Sequence, residues 1–141
     1  KLRKEEEEHQ LNDENTFFNF QKKIDELKNK TNTYIDNILK KKKIVLALGA
    51  STKGNILLQH FGIGKDKIPF ISERNPTKVG LRCVGTDIEL ISEEKARNLN
   101  PDYFFVMPYA FIKEFIKREK KWLNKGGKFI LPYPNFKVIN K

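Results

Sequence analysis

The chain has 141 residues, of which 33% are charged, and its formal net charge is +10 at pH 7. That length suits one domain with a sizeable hydrophobic core. The single cysteine, Cys83, excludes an internal disulfide and a multi-cysteine zinc site. No apolar run approaches the roughly 18 residues of a membrane span, and the charged N-terminus lacks the apolar core of a signal peptide. We therefore expect a cytoplasmic protein.

The positive charge lies mainly in the second part of the chain. Residues 44–141 hold 17 basic and 9 acidic side chains. Such an excess favours anionic partners, namely nucleotides, phosphosugars or nucleic acid. A preference for lysine at every solvated position would produce the same excess. Nucleic acid is the least favoured of these partners, because no helix-turn-helix, RNP-like or zinc-finger pattern is present.

The N-terminal part divides near Thr16. Residues 1–15 are charged and have no apolar period, so we expect a linker or a frayed helix there. Because Lys1 stands inside a charged run, we also expect the chain to be a piece of a longer protein. From Thr16 onwards apolar residues recur at steps of three and four, which predicts a long amphipathic helix, loosened near residues 31–33. We expect its stripe to lie on the following sheet; the stripe comprises Phe17, Phe20, Ile24, Leu27, Tyr34, Ile35, Ile38 and Leu39.

Beyond that helix, short apolar runs alternate with helical patterns. The runs at 44–48, 68–72, 88–91, 103–107 and 129–131 predict strands, and helices are predicted at 52–61, after Ser92, and at 111–125. Gly62 occupies a left-handed C-cap position, and Ser92 an N-cap position. Strands that alternate with helices imply parallel βαβ units. The predicted fold is α/β: a three-layer Rossmann-like domain with a mostly parallel sheet over residues 16–141, preceded by the long helix.

The segment that follows the first predicted strand is the strongest functional signal. Gly49-Ala50-Ser51-Thr52-Lys53-Gly54 has the spacing of a dinucleotide fingerprint, with Ser51 in place of the middle glycine. It is not a Walker loop, because Lys53 precedes Gly54. Unpaired N–H groups and the positive end of a helix dipole at such a turn suit a phosphate. The alternative is that Gly49 and Gly54 only allow a strand to turn tightly into a helix.

A second candidate cluster follows the second predicted strand. Glu73 lies 24 residues after Gly49, where dinucleotide folds place an acid that bonds ribose hydroxyls. It could equally be a turn carboxylate or a partner of Arg74. Arg74, Asn75 and Pro76 predict a substrate-facing loop, or else a turn fixed by the Asn-Pro pair.

Individual side chains carry two interpretations each. Lys53 could neutralise a diphosphate or be solvated, and either Ser51 or Thr52 serves as the N-cap while the backbone N–H groups remain free for a ligand. The polar Asn55 completes this candidate anion site. Tyr109, Tyr133 and Phe136 could stack on a base, although packing in the core or at the surface is favoured for them, and His60 is expected to be a packed or surface histidine more than a ligand. Cys83 has no candidate partner and is expected to be inert. The chain has no catalytic triad and no metal-ligand cluster, so no catalytic or metal-binding residue is predicted in it.

Taken together, these residues resemble the C-terminal domain of the sugar C-methyltransferase family, whose members methylate carbon on nucleotide-linked sugars. The resemblance covers roughly residues 16–134. It rests on Gly49-Ala50-Ser51-Thr52-Lys53-Gly54-Asn55, Leu57-Leu58-Gln59-His60-Phe61-Gly62, Glu73-Arg74-Asn75-Pro76, Lys78, Gly80, Gly85-Thr86, Ser92-Glu93-Glu94, Pro101-Asp102-Tyr103 and Gly126-Gly127-Lys128-Phe129-Ile130.

The resemblance implies a three-part enzyme: a zinc-binding part, a central methyltransferase domain that holds S-adenosylmethionine, and this Rossmann-like part. It implies that the cofactor and the catalytic base lie on the central domain, and that the nucleotide sugar lies in the cleft between the two domains. This chain would then grip the nucleotide diphosphate and close the site. Family members tend to carry Pro-Trp-His/Asn-Phe after the fourth strand, whereas this chain has Pro108-Tyr109-Ala110-Phe111, and Ala110 offers no side-chain hydrogen bond.

Two other functions remain open at this stage. One is a stand-alone module that binds a dinucleotide or coenzyme A, and the other is a non-catalytic structural domain whose turn binds nothing. One set of residues is expected to contact substrate or nucleotide. They are Gly49, Ala50, Ser51, Thr52, Lys53, Gly54, Asn55, Glu73, Arg74 and Asn75.

Overall fold

The computed structural model describes residues 2–11 and 13–140. Its helices are α1 (Leu2–Glu8), α2 (Glu14–Lys40), α3 (Thr52–Phe61), α4 (Glu93–Asn98), α5 (Ile112–Arg118) and α6 (Lys120–Asn124). Its strands are β1 (Val45–Leu48), β2 (Phe70–Glu73), β3 (Glu89–Ser92), β4 (Tyr103–Val106), β5 (Lys128–Leu131) and β6 (Lys137–Ile139). Short 3-10 helices occupy Pro76–Lys78 and Tyr109–Phe111. None of the helices in this part of the chain is long and apolar enough to cross a membrane.

The strands form one sheet in the order β3-β2-β1-β4-β5-β6. β1 to β5 run parallel, with Leu48 of β1 opposite Ser72 of β2 and Val106 of β4, and β6 is antiparallel to β5. This confirms the predicted α/β fold. The order reverses between β1 and β4, and open parallel sheets bind ligands beyond the carboxyl ends of the strands at such a reversal.

Two hydrophobic clusters cover the two faces of the sheet. α2 and α3 pack on one face, where Ile35, Leu58 and Ile71 are fully buried. The helices α4, α5 and α6 cover the other face, around Leu46, Phe104 and Phe129. Since both faces are covered, the strands consist of buried apolar runs, and this pattern made them recognisable in the sequence.

The long N-terminal helix differs from its prediction in two ways. It is continuous from Glu14 to Lys40, with no loosening near Thr31, whose side chain is completely buried. Its stripe also covers the sheet only in part: Ile24 and Leu27 pack against the core, whereas Phe17 and Phe20 are 58% and 59% exposed. The prediction that the whole stripe lies on the sheet was therefore wrong, because the first turns of the helix leave these two side chains uncovered.

The helix predicted over residues 111–125 is divided. α5 ends at Arg118, α6 begins at Lys120, and the intervening Glu119 has φ −96° and ψ 20°. Glu119 is 3% exposed, and both its oxygens accept from the guanidinium of Arg97, at 3.0 and 2.6 Å. The break therefore coincides with the point where this carboxylate is buried against α4. The strand β6 was not predicted, because three residues carry too little pattern.

We predict that Arg97→Ala lowers the free energy of unfolding by about 2–3 kcal/mol, because it leaves a buried carboxylate without its two-pronged donor. Arg118, whose Nε lies 3.6 Å from the same carboxylate, limits the loss. Urea unfolding followed by circular dichroism measures the effect. Asn98→Ala, an exposed change on the same helix, is the control, and equal stability of the two variants would contradict a structural role for the ion pair.

Candidate functional site

The predicted site residues lie along one edge of the sheet. The segment Gly49–Asn55 follows the carboxyl end of β1, and Glu73 to Asn75 end β2 or follow it directly. Met107 and Pro132 follow the neighbouring strands β4 and β5. Because β1, β2, β4 and β5 are parallel, their following turns meet at this edge, which is the edge expected to bind a ligand.

The turn after β1 is possible because its first residue is glycine. Gly49 has φ +77°, and its N–H donates to the Ser72 carbonyl at 2.9 Å. A Cβ at Gly49 would lie 3.0 Å from Cγ of Pro108, so space and backbone conformation both require glycine. This confirms the tight turn that the sequence predicted.

The start of α3 lies directly against the residue that follows β4. Ser51 has extended backbone angles, and its Oγ accepts from the Gly54 N–H at 3.0 Å, which makes Ser51 the N-cap. A Cβ at Gly54 would lie 2.5 Å from Cβ of Met107. Only glycine therefore allows this approach, and it places the positive end of the α3 dipole at the sheet edge.

Three consecutive backbone donors at this turn are free within the described part of the chain. The N–H of Ala50 is bonded to Glu73, and those of Gly54 and Asn55 are bonded to Ser51. Within residues 13–140, no protein acceptor contacts the N–H groups of Ser51, Thr52 and Lys53. Thr52 and Lys53 are also exposed to solvent, and Lys53 borders a groove described below. The arrangement can bind an anion through backbone donors, a helix dipole and one ammonium group.

Glu73 ties two turns of this edge together. One carboxylate oxygen accepts from the Ala50 N–H at 2.9 Å, and the other accepts from the Asn75 N–H at 2.8 Å. The residue is 8% exposed, so the carboxylate lies beneath the turns and is not presented to solvent. This geometry favours a positioning role for Glu73. Its predicted contact with ribose hydroxyls stays a prediction.

Arg74 and Asn75 lie at the outer end of the same edge. Asn75 caps the 3-10 helix Pro76–Lys78 by accepting from the Thr77 N–H at 3.0 Å, which fits the turn interpretation. Arg74 is exposed, with its guanidinium 3.6 Å from Glu114 on α5. An exposed pair at this distance restrains a side chain only weakly, and Arg74 is free to move toward a ligand.

Asn55 faces away from the three free donors. Its amide donates to the Val84 carbonyl at 3.2 Å, and its oxygen accepts from the Thr86 hydroxyl at 3.4 Å. Gln59, one turn along α3, donates to the same Val84 carbonyl at 3.2 Å. These bonds fasten the loop that contains Cys83 to α3. Burial raises the pKa of the Cys83 thiol, which fits the inert role predicted for it.

An apolar groove adjoins the turn, and it was not predicted from the sequence. It encloses about 400 Å³ between α2, α3 and the turns after β4 and β5. One wall is formed by Ile24 and Leu27 of α2. Their helical spacing was visible in the sequence, but the sequence did not show that they line a groove. The groove is otherwise lined by Lys53, Gly54, Ile56, Leu57, His60, Phe61, Val106, Met107, Tyr109, Pro132 and Tyr133.

Aromatic residues that were candidates for stacking are divided by the structure. Tyr109 and Tyr133 meet edge to face at the groove, with ring centroids 5.2 Å apart. Phe136 instead packs against Tyr34, with ring centroids 5.4 Å apart. The structure therefore keeps Tyr109 and Tyr133 at the site and places Phe136 away from it. Within the described residues no group of His, Cys, Asp or Glu side chains has the arrangement of a metal site.

Comparison with known proteins gives two findings. A family model described as the C-methyltransferase C-terminal domain matches residues 1–134. A C-methyltransferase from Streptomyces niveus, NovU, is 38% identical to this chain over 98 residues. That alignment covers 70% of this chain and 23% of the relative, so the chain corresponds to about a quarter of that protein's length.

The sheet edge does not fit S-adenosylmethionine. A Rossmann-like cofactor site needs an acidic side chain at the end of β2 that is available to ribose hydroxyls. Glu73 occupies that position, but both its oxygens already accept from backbone N–H groups and it is buried. Glu73 therefore does not offer a cofactor the solvent-facing acid of such a site.

We predict that Glu73→Gln lowers the free energy of unfolding by about 2 kcal/mol, because the amide can accept from only one of the two N–H groups and presents a donor to the other. Urea unfolding measures the loss. Arg74→Gln is the matched control, since it changes the neighbouring exposed side chain and should stay within about 0.5 kcal/mol of the parent. A Glu73→Gln variant as stable as the parent would show that the carboxylate does not hold the two turns.

Proposed function

The chain belongs to the C-methyltransferase C-terminal domain family, and from this premise we propose that it is the substrate-binding part of a methyltransferase that acts on a nucleotide-linked sugar. In this proposal the turn Gly49–Lys53 grips the diphosphate of the substrate. The domain also closes the reaction site against water. The observation that carries the proposal is the set of three adjacent N–H groups at Ser51, Thr52 and Lys53, which have no acceptor among the described residues.

The geometry supports a diphosphate more than a single carboxylate. Three neighbouring donors and the Lys53 ammonium offer more contacts than one carboxylate needs, and the start of a ten-residue helix adds a positive dipole. Arg74 at the end of β2 is a second cation within the same edge. Two phosphate groups that extend from α3 toward β2 would use both cations.

The same site should bind only weakly on its own. The Glu73 carboxylate accepts from the Ala50 N–H, which is next to the three free donors. Its negative charge therefore opposes an incoming anion. Lys53 and the α3 dipole offset that charge, but Lys53 is exposed and screened by salt. We therefore expect dissociation constants near the millimolar range for this chain alone, about 4 kcal/mol of binding free energy.

The groove suits the part of the substrate that lies beyond the diphosphate. It is lined mainly by apolar side chains, and Lys53, Tyr109 and Tyr133 also line it. A nucleobase could pack on either ring while its polar edge remains in solvent. Gly49, Ala50, Gly54 and Asn55 act in this proposal by shaping the turn, and Asn75 by holding the end of β2.

The methyl donor comes from elsewhere in this proposal. S-adenosylmethionine would be bound by a methyltransferase domain that precedes this one in the same protein, since the sheet edge does not fit it. The cofactor supplies the methyl group, and this chain contributes positioning and exclusion of water. We expect no methyl transfer by the chain alone. A reducing, cytoplasmic setting belongs to the same proposal and suits a chain with one free cysteine.

We predict that Thr52→Pro weakens binding of a nucleotide sugar about tenfold, because it removes one of the three N–H donors and a charge-assisted hydrogen bond contributes about 1.5–3 kcal/mol. Proline is tolerated at the first position of a helix, and Ser51 already has the extended conformation that a following proline requires. The fold should therefore survive. Isothermal calorimetry with UDP-glucose, dTDP-glucose and GDP-mannose measures the change.

Thr52→Ala is the control, since it keeps the N–H and removes the hydroxyl, and it should bind like the parent. NAD and coenzyme A test the alternative of a stand-alone module, which predicts that they bind more tightly than every nucleotide sugar. No heat with any nucleotide sugar at millimolar concentration, or equal binding by Thr52→Pro and Thr52→Ala, would overturn the proposed grip on the diphosphate.

A further inference from the structure

One face of α2 is covered by the domain along its C-terminal part and exposed along its N-terminal part. Seven residues succeed one another at alternating steps of three and four, the spacing of a coiled-coil seam; they are Phe17, Phe20, Ile24, Leu27, Thr31, Tyr34 and Ile38. From Ile24 onwards the stripe packs on the domain, and Thr31 and Ile38 are buried. Phe17 and Phe20 continue the same face and are more than half exposed.

The bare part projects past the candidate site. Asn32 donates to the Phe61 carbonyl at the end of α3 at 2.8 Å, whereas Ile24 lines the groove together with Lys53 at the start of α3. The residues before Ile24 therefore lie beyond the start of α3. Residues 14–23 extend about 15 Å at 1.5 Å per residue. We call these residues the α2 arm.

The chemistry of the α2 arm suits a dry contact. Residues 16–21 carry no charge, although a third of the chain is charged, so covering them would desolvate no ion. Exposed large aromatic side chains in such a setting indicate an interaction site. Phe17 and Phe20 share the face of the groove wall, and Phe18, which is 72% exposed, lies off that seam.

We propose that Phe17 and Phe20 of the α2 arm dock the methyltransferase domain of the same enzyme, directly above the candidate site. This rests on the proposed function. The match covers 23% of the length of the relative, so the partner is the large remainder of a protein of that kind. In this proposal a domain that delivers a methyl group to a substrate at this sheet edge lies against the α2 arm, and the two phenylalanines extend the groove wall into the contact.

The test is hydrogen–deuterium exchange on the full-length enzyme and on the 141-residue chain, without nucleotide. We expect the amides of residues 14–23 to exchange at least about tenfold more slowly in the full-length enzyme, because a docked surface opens less often. Phe17→Gln with Phe20→Gln should return them to the rate of the isolated chain. Glutamine is used because it is a good helix former. Phe18→Gln, the matched control, should leave the protection unchanged.

Three results of the exchange experiment would overturn the proposal. They are equal exchange in both proteins, protection that survives the double change, and equal loss of protection with Phe18→Gln.

Sedimentation velocity of the 141-residue chain at about 100 µM tests whether a second copy of the chain covers the α2 arm instead. A dimer that the double change dissolves would also overturn the proposal. Because no nucleotide is present, this experiment succeeds or fails independently of diphosphate binding at the turn. The double variant of the isolated chain should unfold at the parent's midpoint, since both side chains are exposed.

Discussion

The candidate site depends on one buried carboxylate. Glu73 accepts from Ala50 on one side and from Asn75 on the other, so the turns after β1 and β2 hold a fixed relation. With the Ala50 N–H occupied, the next three N–H groups of the chain have no protein acceptor within residues 13–140. The same carboxylate therefore shapes the candidate anion site and would oppose an anionic ligand, and this predicts precise positioning with modest affinity.

A weak site of this kind suits a domain that acts beside another one. The apolar groove is open, Lys53 is exposed, and the α2 arm extends above both. A second domain seated on the arm would exclude water from the groove and strengthen each electrostatic contact at the turn. On this account the family membership, the turn and the uncovered phenylalanines all reflect one arrangement. In that arrangement the second domain supplies the rest of the binding free energy.

Local patterns in the sequence predicted the elements whose causes are local. The helix Thr52–Phe61 and its C-cap at Gly62 were predicted correctly, because Ser51, Gly54 and Gly62 each determine the conformation of their own turn. The sheet was predicted because its strands are buried on both faces. The break at Glu119 was missed because its partner, Arg97, lies 22 residues earlier in the chain. The inward orientation of Glu73 was missed for the same reason, since Ala50 lies 23 residues away. Periodicity also showed the α2 stripe without showing that Phe17 and Phe20 are left uncovered.

The central claim is that the free N–H groups after β1 bind the diphosphate of a nucleotide sugar. Amide NMR spectra of the ¹⁵N-labelled chain, recorded during a titration with dTDP-glucose and separately with pyrophosphate, test it most directly. The account predicts that both ligands shift the amides of Ser51, Thr52 and Lys53 most strongly, and that the sugar nucleotide also shifts residues of the groove. A titration that leaves the amide resonances of these three residues unchanged at millimolar ligand would contradict it.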